Sequence, residues 1–306
     1  MPTSNSDEAG GAPGPRRSPR GGLPLAVTMG DPAGIGPDIA LASWLQRAGL
    51  ALPPFVLLGD PGVLAQRALR LGLSVPITSV ADFMAGSAAF AEALPVLPVP
   101  GAGVAGDKGS VVGAIEQATV AVLERRALAV VTNPITKSAL NFADLAYPGH
   151  TEYLARLAAR HSGGPRPRPV MMLVAEELKV VPATVHVPLT AVAPLLSAEL
   201  LSETITITAA ALTRDFGIGA PRIAVTGLNP HAGEDGLIGV EEATLIRPII
   251  AALAAAGLAV SGPYAADTLF HAEARRGYDA VVAMYHDQAL IPLKTLAFER
   301  GVNVTL

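Results

Sequence analysis

The sequence predicts an α/β protein built on mainly parallel sheets. Strand and helix signals alternate along the chain, as α/β layers require. The polar motifs follow directly on apolar runs that read as strands, where open α/β sheets line their ligand crevice. Half of the 306 residues are apolar and only 16% are charged, so a large core can be buried. That length admits two domains of ordinary size or one large one.

Residues 1–22, MPTSNSDEAGGAPGPRRSPRGG, are rich in Gly, Pro, Ser and Arg and read as a disordered tail. The apolar stretch behind Arg16-Arg17 runs straight into Gly-Asp-Pro, too short for an export signal. Leu25–Met29 reads as a buried strand. Pro37 and Asp38 open a helix, Pro being suited to a first turn. Phe55–Leu58 is a strand, and Asp60-Pro61 caps a helix running to about Leu71. Gly109–Arg126 reads as helix, Ala129–Thr132 as strand and Thr151–Arg160 as helix. The segment Gly163–Pro169 is a loop with solvated arginines. Val170–Val174 and Ala183–Val187 read as strands, Ser197–Phe216 as a long helix and Arg222–Thr226 as a strand. Val240–Ala256 is a helix, Ala280–Met284 a strand, and the closing GVNVTL alternates like a strand.

The longest apolar run, Ile249–Val260, is far below membrane-spanning length. Net charge is −4 without a basic stripe, which argues against a nucleic-acid partner. There is no cysteine, which fits a cytoplasmic location and leaves His, Asp and Glu as the strong metal ligands. His161 and His271, of the six histidines, have no supporting motif and read as exposed. His150 lies at a helix start in YPGHTEY. His186 in ATVHVPL, His231 in GLNPHAGEDG and His286 in AMYHDQ lie near strand ends. Any one alone reads as a structural histidine. Three together suit a divalent metal with an open position for substrate. No HExxH-type spacing exists, so such a site must assemble from distant segments.

Asp31 and Asp38 flank the glycine-rich turn MGDPAGIGPD, which lacks the GxGxxG dinucleotide pattern. It reads either as a structural connection or as a close approach to ligand. Lys137, near a helix start in VTNPITKSAL, either helps hold an anion or is simply exposed. Asp267 and Asp287 can orient imidazoles or serve as bases, and Asp267 reads equally as a helix N-cap. Lys294 in IPLKTL is either a snorkelling surface residue or a substrate-binding cation.

MGDPAGIGPD, VTNPITK, YPGHTEYLA, HVPL, GLNPHAGEDG, GPYAADTLF, AMYHDQALIPLK and RGVNVTL occur in this order. Together they resemble the 4-hydroxythreonine-4-phosphate dehydrogenase family of pyridoxal phosphate biosynthesis, over Leu23 to Leu306. The resemblance implies an isocitrate/isopropylmalate dehydrogenase-like fold of two α/β/α domains with a cleft between them. The first would hold 23–140 plus about 265–306, and the second about 141–264. It implies a homodimer with its active site at the interface. It implies one divalent metal (Zn, Mg or Co) held by His186, His231 and His286, with ligands shared between subunits. Substrate contacts would come from His150, Thr151, Lys294 and Asn303, and catalytic groups from Asp267, Asp287 and Lys294. NAD, or alternatively NADP, would take the hydride from 4-phosphohydroxy-L-threonine, giving a β-keto acid that decarboxylates to 3-amino-2-oxopropyl phosphate. The family pattern continues beyond RGVNVTL with a substrate-binding arginine and an HGTA-type stretch, so a truncated C terminus is expected. Three other readings stay open: a paralogous dehydrogenase of 4-phosphothreonate or 4-phosphoerythronate, a metal-dependent hydrolase, and a non-catalytic metal- or phosphate-binding protein.

Overall fold

A computed structural model describes residues 22–101, 108–135 and 150–306. The expected tail, apart from Gly22, lies outside them, as does Lys137. The chain divides into two compact units, residues 1–167 and 168–306.

The first unit carries a five-stranded sheet in the order β3-β4-β2-β1-β5, parallel throughout. Its strands are β1 (Leu25–Thr28), β2 (Phe55–Gly59), β3 (Ile77–Ser79), β4 (Leu94–Pro98) and β5 (Val130–Thr132). FVLLG of β2 is buried at every position, as an internal parallel strand covered on both faces must be. The helices are α1 (Gly36–Leu45), α2 (Pro61–Leu71), α3 (Phe83–Ala89), α4 (Lys108–Leu123) and α5 (His150–Ser162). Asp60 caps α2 by accepting from the N–H groups of Gly62 and Val63, and Gly72 ends it in the left-handed region. Tyr153 and Leu157 of α5 pack on Val112 and Ile115 of α4. Elements β3, α3 and β4 escape the sequence reading. LPVLP in β4 hides a strand behind two prolines, residues that normally argue against one.

The turn from β1 into α1 is tightly packed. A Cβ on Gly36 would lie 2.1 Å from the Met29 carbonyl oxygen, a backbone atom with little freedom to yield. Gly36→Ala is therefore expected to cost about 3 kcal/mol, the upper end of ordinary overpacking. Urea denaturation reads this directly, and an unchanged midpoint would show that the turn relaxes. The two aspartates of this turn have structural partners: Asp31 accepts from the Ala33 N–H at 3.0 Å, and Asp38 pairs with Arg67 at 2.7 Å.

The second unit carries a six-stranded mixed sheet, β11-β6-β7-β10-β8-β9. These are β6 (Met171–Val174), β7 (Lys179–Thr184), β8 (Ile223–Thr226), β9 (Val260–Tyr264), β10 (Ala280–Tyr285) and β11 (Val302–Thr305). The run β7-β10-β8-β9 is parallel, whereas β6 is antiparallel to both β7 and β11. Alternate residues serve opposite faces. Val181, Val225 and Val282 face the cluster built with Leu201, Ile205 and Leu212 of α6 (Ala198–Arg214) and Ile249 of α7 (Arg247–Ala255). Val180, Ala224 and Val281 face Leu290 and Leu293 of α9 (His286–Ala297). A short helix, α8 (Ala266–Leu269), follows β9.

Three sequence expectations are corrected here. The strand expected at Ala183–Val187 is Lys179–Thr184, because His186 adopts φ 49°, which takes the chain out of extended geometry. Residues 265–306, expected with the first domain, belong to the second unit. Both β10 and β11 pair inside its sheet, β10 between β7 and β8 and β11 against β6. Residues 150–162, expected in the second domain, form α5 on α4 of the first unit.

Candidate metal and substrate site

In the second unit the four parallel strands deliver their polar continuations to one sheet edge. β7 ends at Thr184, opposite Tyr285 of β10, and β8 ends at Thr226, opposite Tyr264 of β9. The segments carrying His186, His286, His231 and Asp267 leave from these four ends. This is the edge at which parallel α/β sheets expose ligand-binding groups.

His186 and His286 meet there, with ring centroids 5.5 Å apart and planes inclined by 46°. The hydroxyl of Thr184 donates to the Met284 carbonyl at 2.8 Å and ties the two strand ends together. His286 is the first residue of α9, and its Nδ1 lies 2.7 Å from Oδ1 of Asp287. A carboxylate only accepts, so Nδ1 is the donor in this contact, and in a neutral ring the lone pair is on Nε2. Asp287 is thus the hydrogen-bond partner of the imidazole.

His231 sits in an unusual backbone. His231, Ala232, Gly233, Glu234 and Asp235 all have φ between 45° and 80°. Left-handed geometry costs a non-glycine residue roughly 1–2 kcal/mol, so four such residues need support from outside the segment. Part of it comes from Asn229, whose side-chain amide donates to Glu241 at 2.8 Å and to Glu242 at 3.0 Å. The Asn229 bond also helps hold the Glu241 carboxyl below the usual range, behind the larger contribution of its own backbone N–H. Glu242 opens a wide π turn, Glu242–Ile246, in which the Arg247 N–H reaches back to the Glu242 carbonyl. Pro248 follows. Its ring would press on the i−4 carbonyl of a regular helix, and the wider turn precedes it.

Asp267 lies in the first turn of α8, whose N-cap position is Ala265, so it is not the cap. Lys294 is exposed on α9, two turns along from Asp287 on the same helix face. Asn303 is exposed in β11, opposite Leu173. Among the described residues of one chain, no group of three or more His, Asp or Glu side chains is arranged to hold a metal. The structure therefore brings His186 and His286 together but does not complete the expected triad with His231. Two neighbouring imidazoles fit two positions of a divalent-metal site.

His150 and Thr151 open α5 in the first unit. The His150 Nε2 is buried with no hydrogen-bond partner among the described residues, and burial pulls its pKa below the 6.5 of a free imidazole. Neutral His150 is thus favoured in the folded chain. As pH falls through 6.5 the unfolded chain takes up the proton first, so this contribution to stability is present above that pH and lost below it. Proton NMR is expected to show a midpoint below 6.5 for His150, rising when inorganic phosphate is added. A midpoint at or above 6.5 without phosphate would contradict the buried, unpartnered placement. His161 and His271 are exposed, as expected.

Residues 51–306 match the family described as pyridoxal phosphate biosynthetic protein PdxA. The chain belongs to the PdxA family. The 4-hydroxythreonine-4-phosphate dehydrogenase of Xanthobacter autotrophicus is 50% identical over 290 residues, covering 92% of this chain and 82% of the relative. That of Methylorubrum populi is 52% identical over 292 residues, covering 92% and 83%. The crystal structure of the Klebsiella pneumoniae enzyme of that name superposes with a TM-score of 0.78 at 36% identity, covering 92% and 87%. These two relatives and this solved structure are named dehydrogenases, so the chain is a member of an oxidoreductase family. These matches do not bear out the truncated C terminus.

Sequence reasoning missed one polar joint of this PdxA-family site. Gln288 accepts from the Thr226 hydroxyl at 2.7 Å and from the Met284 N–H at 2.8 Å, and donates to the Gly227 carbonyl at 2.8 Å. One amide thus locks the end of β8 to the end of β10. It stands beside His286 in the HDQ motif, where only its neighbours attracted a reading.

Proposed function

We propose that this chain oxidises 4-phosphohydroxy-L-threonine with NAD, in a divalent-metal-dependent reaction of pyridoxal 5'-phosphate synthesis in the cytoplasm. The β-keto acid formed would lose carbon dioxide to give 3-amino-2-oxopropyl phosphate. The observation that carries this reading is the His186–His286 pair at the strand-end edge, in a chain half identical to relatives named for that dehydrogenase. We take the metal to be shared by His186, His231 and His286 across a homodimer. Support comes from the incomplete ligand set of one chain and from apolar side chains exposed on the same unit: Leu237 at 84%, Ile291 at 62% and Phe298 at 76%.

When bound, the metal would supply Lewis acidity at the substrate hydroxyl, and NAD would supply the hydride acceptor. The protein's own groups do the rest. Asp287 holds the His286 ring in one tautomer. The substrate hydroxyl gives its proton to a water held by Asp267, or to Lys294 where that amine is neutral and takes no part in holding the phosphate. Asp287, already engaged by His286, is the poorer candidate for that role. Lys294 and Asn303 of the second unit, and His150 and Thr151 of the first, are the proposed substrate contacts. Holding the reacting groups in place is worth up to roughly 7–11 kcal/mol in favourable cases.

The experiment is NADH formation from 4-phosphohydroxy-L-threonine by the purified chain. It is run with and without chelator, then after return of Zn, Mg or Co. Metal-dependent NADH formation is expected. NADH formation faster with 4-phosphothreonate or 4-phosphoerythronate would move the chain to a paralogous substrate, and none with any of the three would sink the dehydrogenase reading.

A further inference from the structure

Glu242 is a carboxyl that the proposed reaction leaves without a task, and it is 2% exposed. Its Oε1 accepts the main-chain N–H of Asn229 at 2.7 Å and its Oε2 accepts the Asn229 side-chain amide at 3.0 Å. Two glycines close around it. A Cβ on Gly227 would lie 3.0 Å from Oε1, and one on Gly233 would lie 2.5 Å from Oε2. The carboxylate is therefore seated against both ends of the segment from 227 to 233 that contains His231. That segment turns through consecutive left-handed residues, a conformation that does not persist unsupported. Burying a carboxylate is costly unless its hydrogen bonds are met, and here the loop itself meets them.

We propose that Glu242 is the positioning residue for His231: it fixes the left-handed loop in the one conformation that presents the imidazole to the metal. This rests on reading His231 as a ligand. Glutamine cannot replace the carboxylate. Its amide would face the Asn229 amide donor to donor, and turning Asn229 over would set its carbonyl oxygen against the Glu241 carboxylate.

The test is a Co2+ titration of the full chain, read by affinity and by the visible absorption of the bound ion. Four proteins are compared: wild type, Glu242→Gln, His231→Ala and Ile246→Val. Ile246 is buried one turn from Glu242, and the valine variant supplies a loss of packing that leaves the carboxylate alone. Glu242→Gln is expected to bind Co2+ roughly 10- to 100-fold more weakly, with a changed absorption envelope. Ile246→Val is expected to keep wild-type affinity and spectrum despite a lower melting temperature. If His231→Ala binds Co2+ like wild type, the ligand reading fails and the proposal with it. If His231→Ala loses Co2+ while Glu242→Gln retains wild-type affinity and spectrum, the positioning role is overturned and the ligand reading stands. Equal losses in Glu242→Gln and Ile246→Val would also overturn it, since packing alone would then account for the effect. Should Glu242→Gln not fold, amide hydrogen exchange on the wild-type chain decides. The Asn229 N–H is expected to exchange as slowly as the N–H groups of β8, and rapid exchange would reject the anchoring by Glu242.

Discussion

His231→Ala is expected to lose most bound metal and nearly all turnover while remaining folded. The imidazole is exposed, so truncating it removes little packing, and such surface changes usually stay within about 0.5 kcal/mol. Removing a ligand outright should exceed the roughly 10- to 100-fold loss seen when only a residue behind a ligand is changed. His161→Ala, also exposed and without a motif, is the control and should change neither quantity. The same variant tests assembly. Mixed and re-equilibrated with His286→Ala, it should recover about a quarter of the wild-type sites, because half of the dimers are mixed and each has one intact site. This recovery requires His231 and His286 to come from opposite protomers. Full metal content in His231→Ala would end the ligand assignment, whereas absent recovery in the mixture would place both ligands on one protomer.

The second large effect is expected at the phosphate. Lys294→Ala, or the wild-type chain given the dephosphorylated substrate, should lower kcat/KM by about ten- to a hundred-fold. A hydrogen bond to a charged group is worth roughly 1.5–3 kcal/mol. Lys294 stands exposed on α9, and removing its ammonium should leave the core beneath, Leu290 and Leu293, undisturbed. The loss should therefore appear without a fall in melting temperature. Equal use of phosphorylated and dephosphorylated substrate would count against this whole substrate class.

Much of the layered fold was legible because its signals are local. Asp60-Pro61 at the head of α2 and Ser197 at the head of α6 are caps that act within three residues. Three of the hidden elements, β4, β9 and α9, share another property. Pro95 and Pro98 in β4, Gly262-Pro263 in β9 and Pro292 in α9 are residues that local propensity scores against, and tertiary packing overrides that score. The domain division was misread because strand insertion is non-local: nothing in AVVAMY says that it slots between β7 and β8. In the site, the histidines announced themselves as a residue type with few other uses near strand ends. Gln288 and Glu242 did not, since their roles exist only through partners 62 and 13 positions away.

The pairing of Thr184 with Met284 spans 100 positions of sequence. Closing a loop of that size costs roughly 4 kcal/mol of chain entropy before any contact rewards it. His186 and His286 are carried to one another by that closure. A short peptide zinc module can seize its ion while still unfolded and fold around it. Here the two imidazoles become neighbours only after β10 has entered the sheet between β7 and β8. On the proposed reading, metal capture would thus be a late event in the life of the nascent chain. The choice among competing cellular cations is made by a finished surface, and a chelator should strip function from this unit without unravelling it.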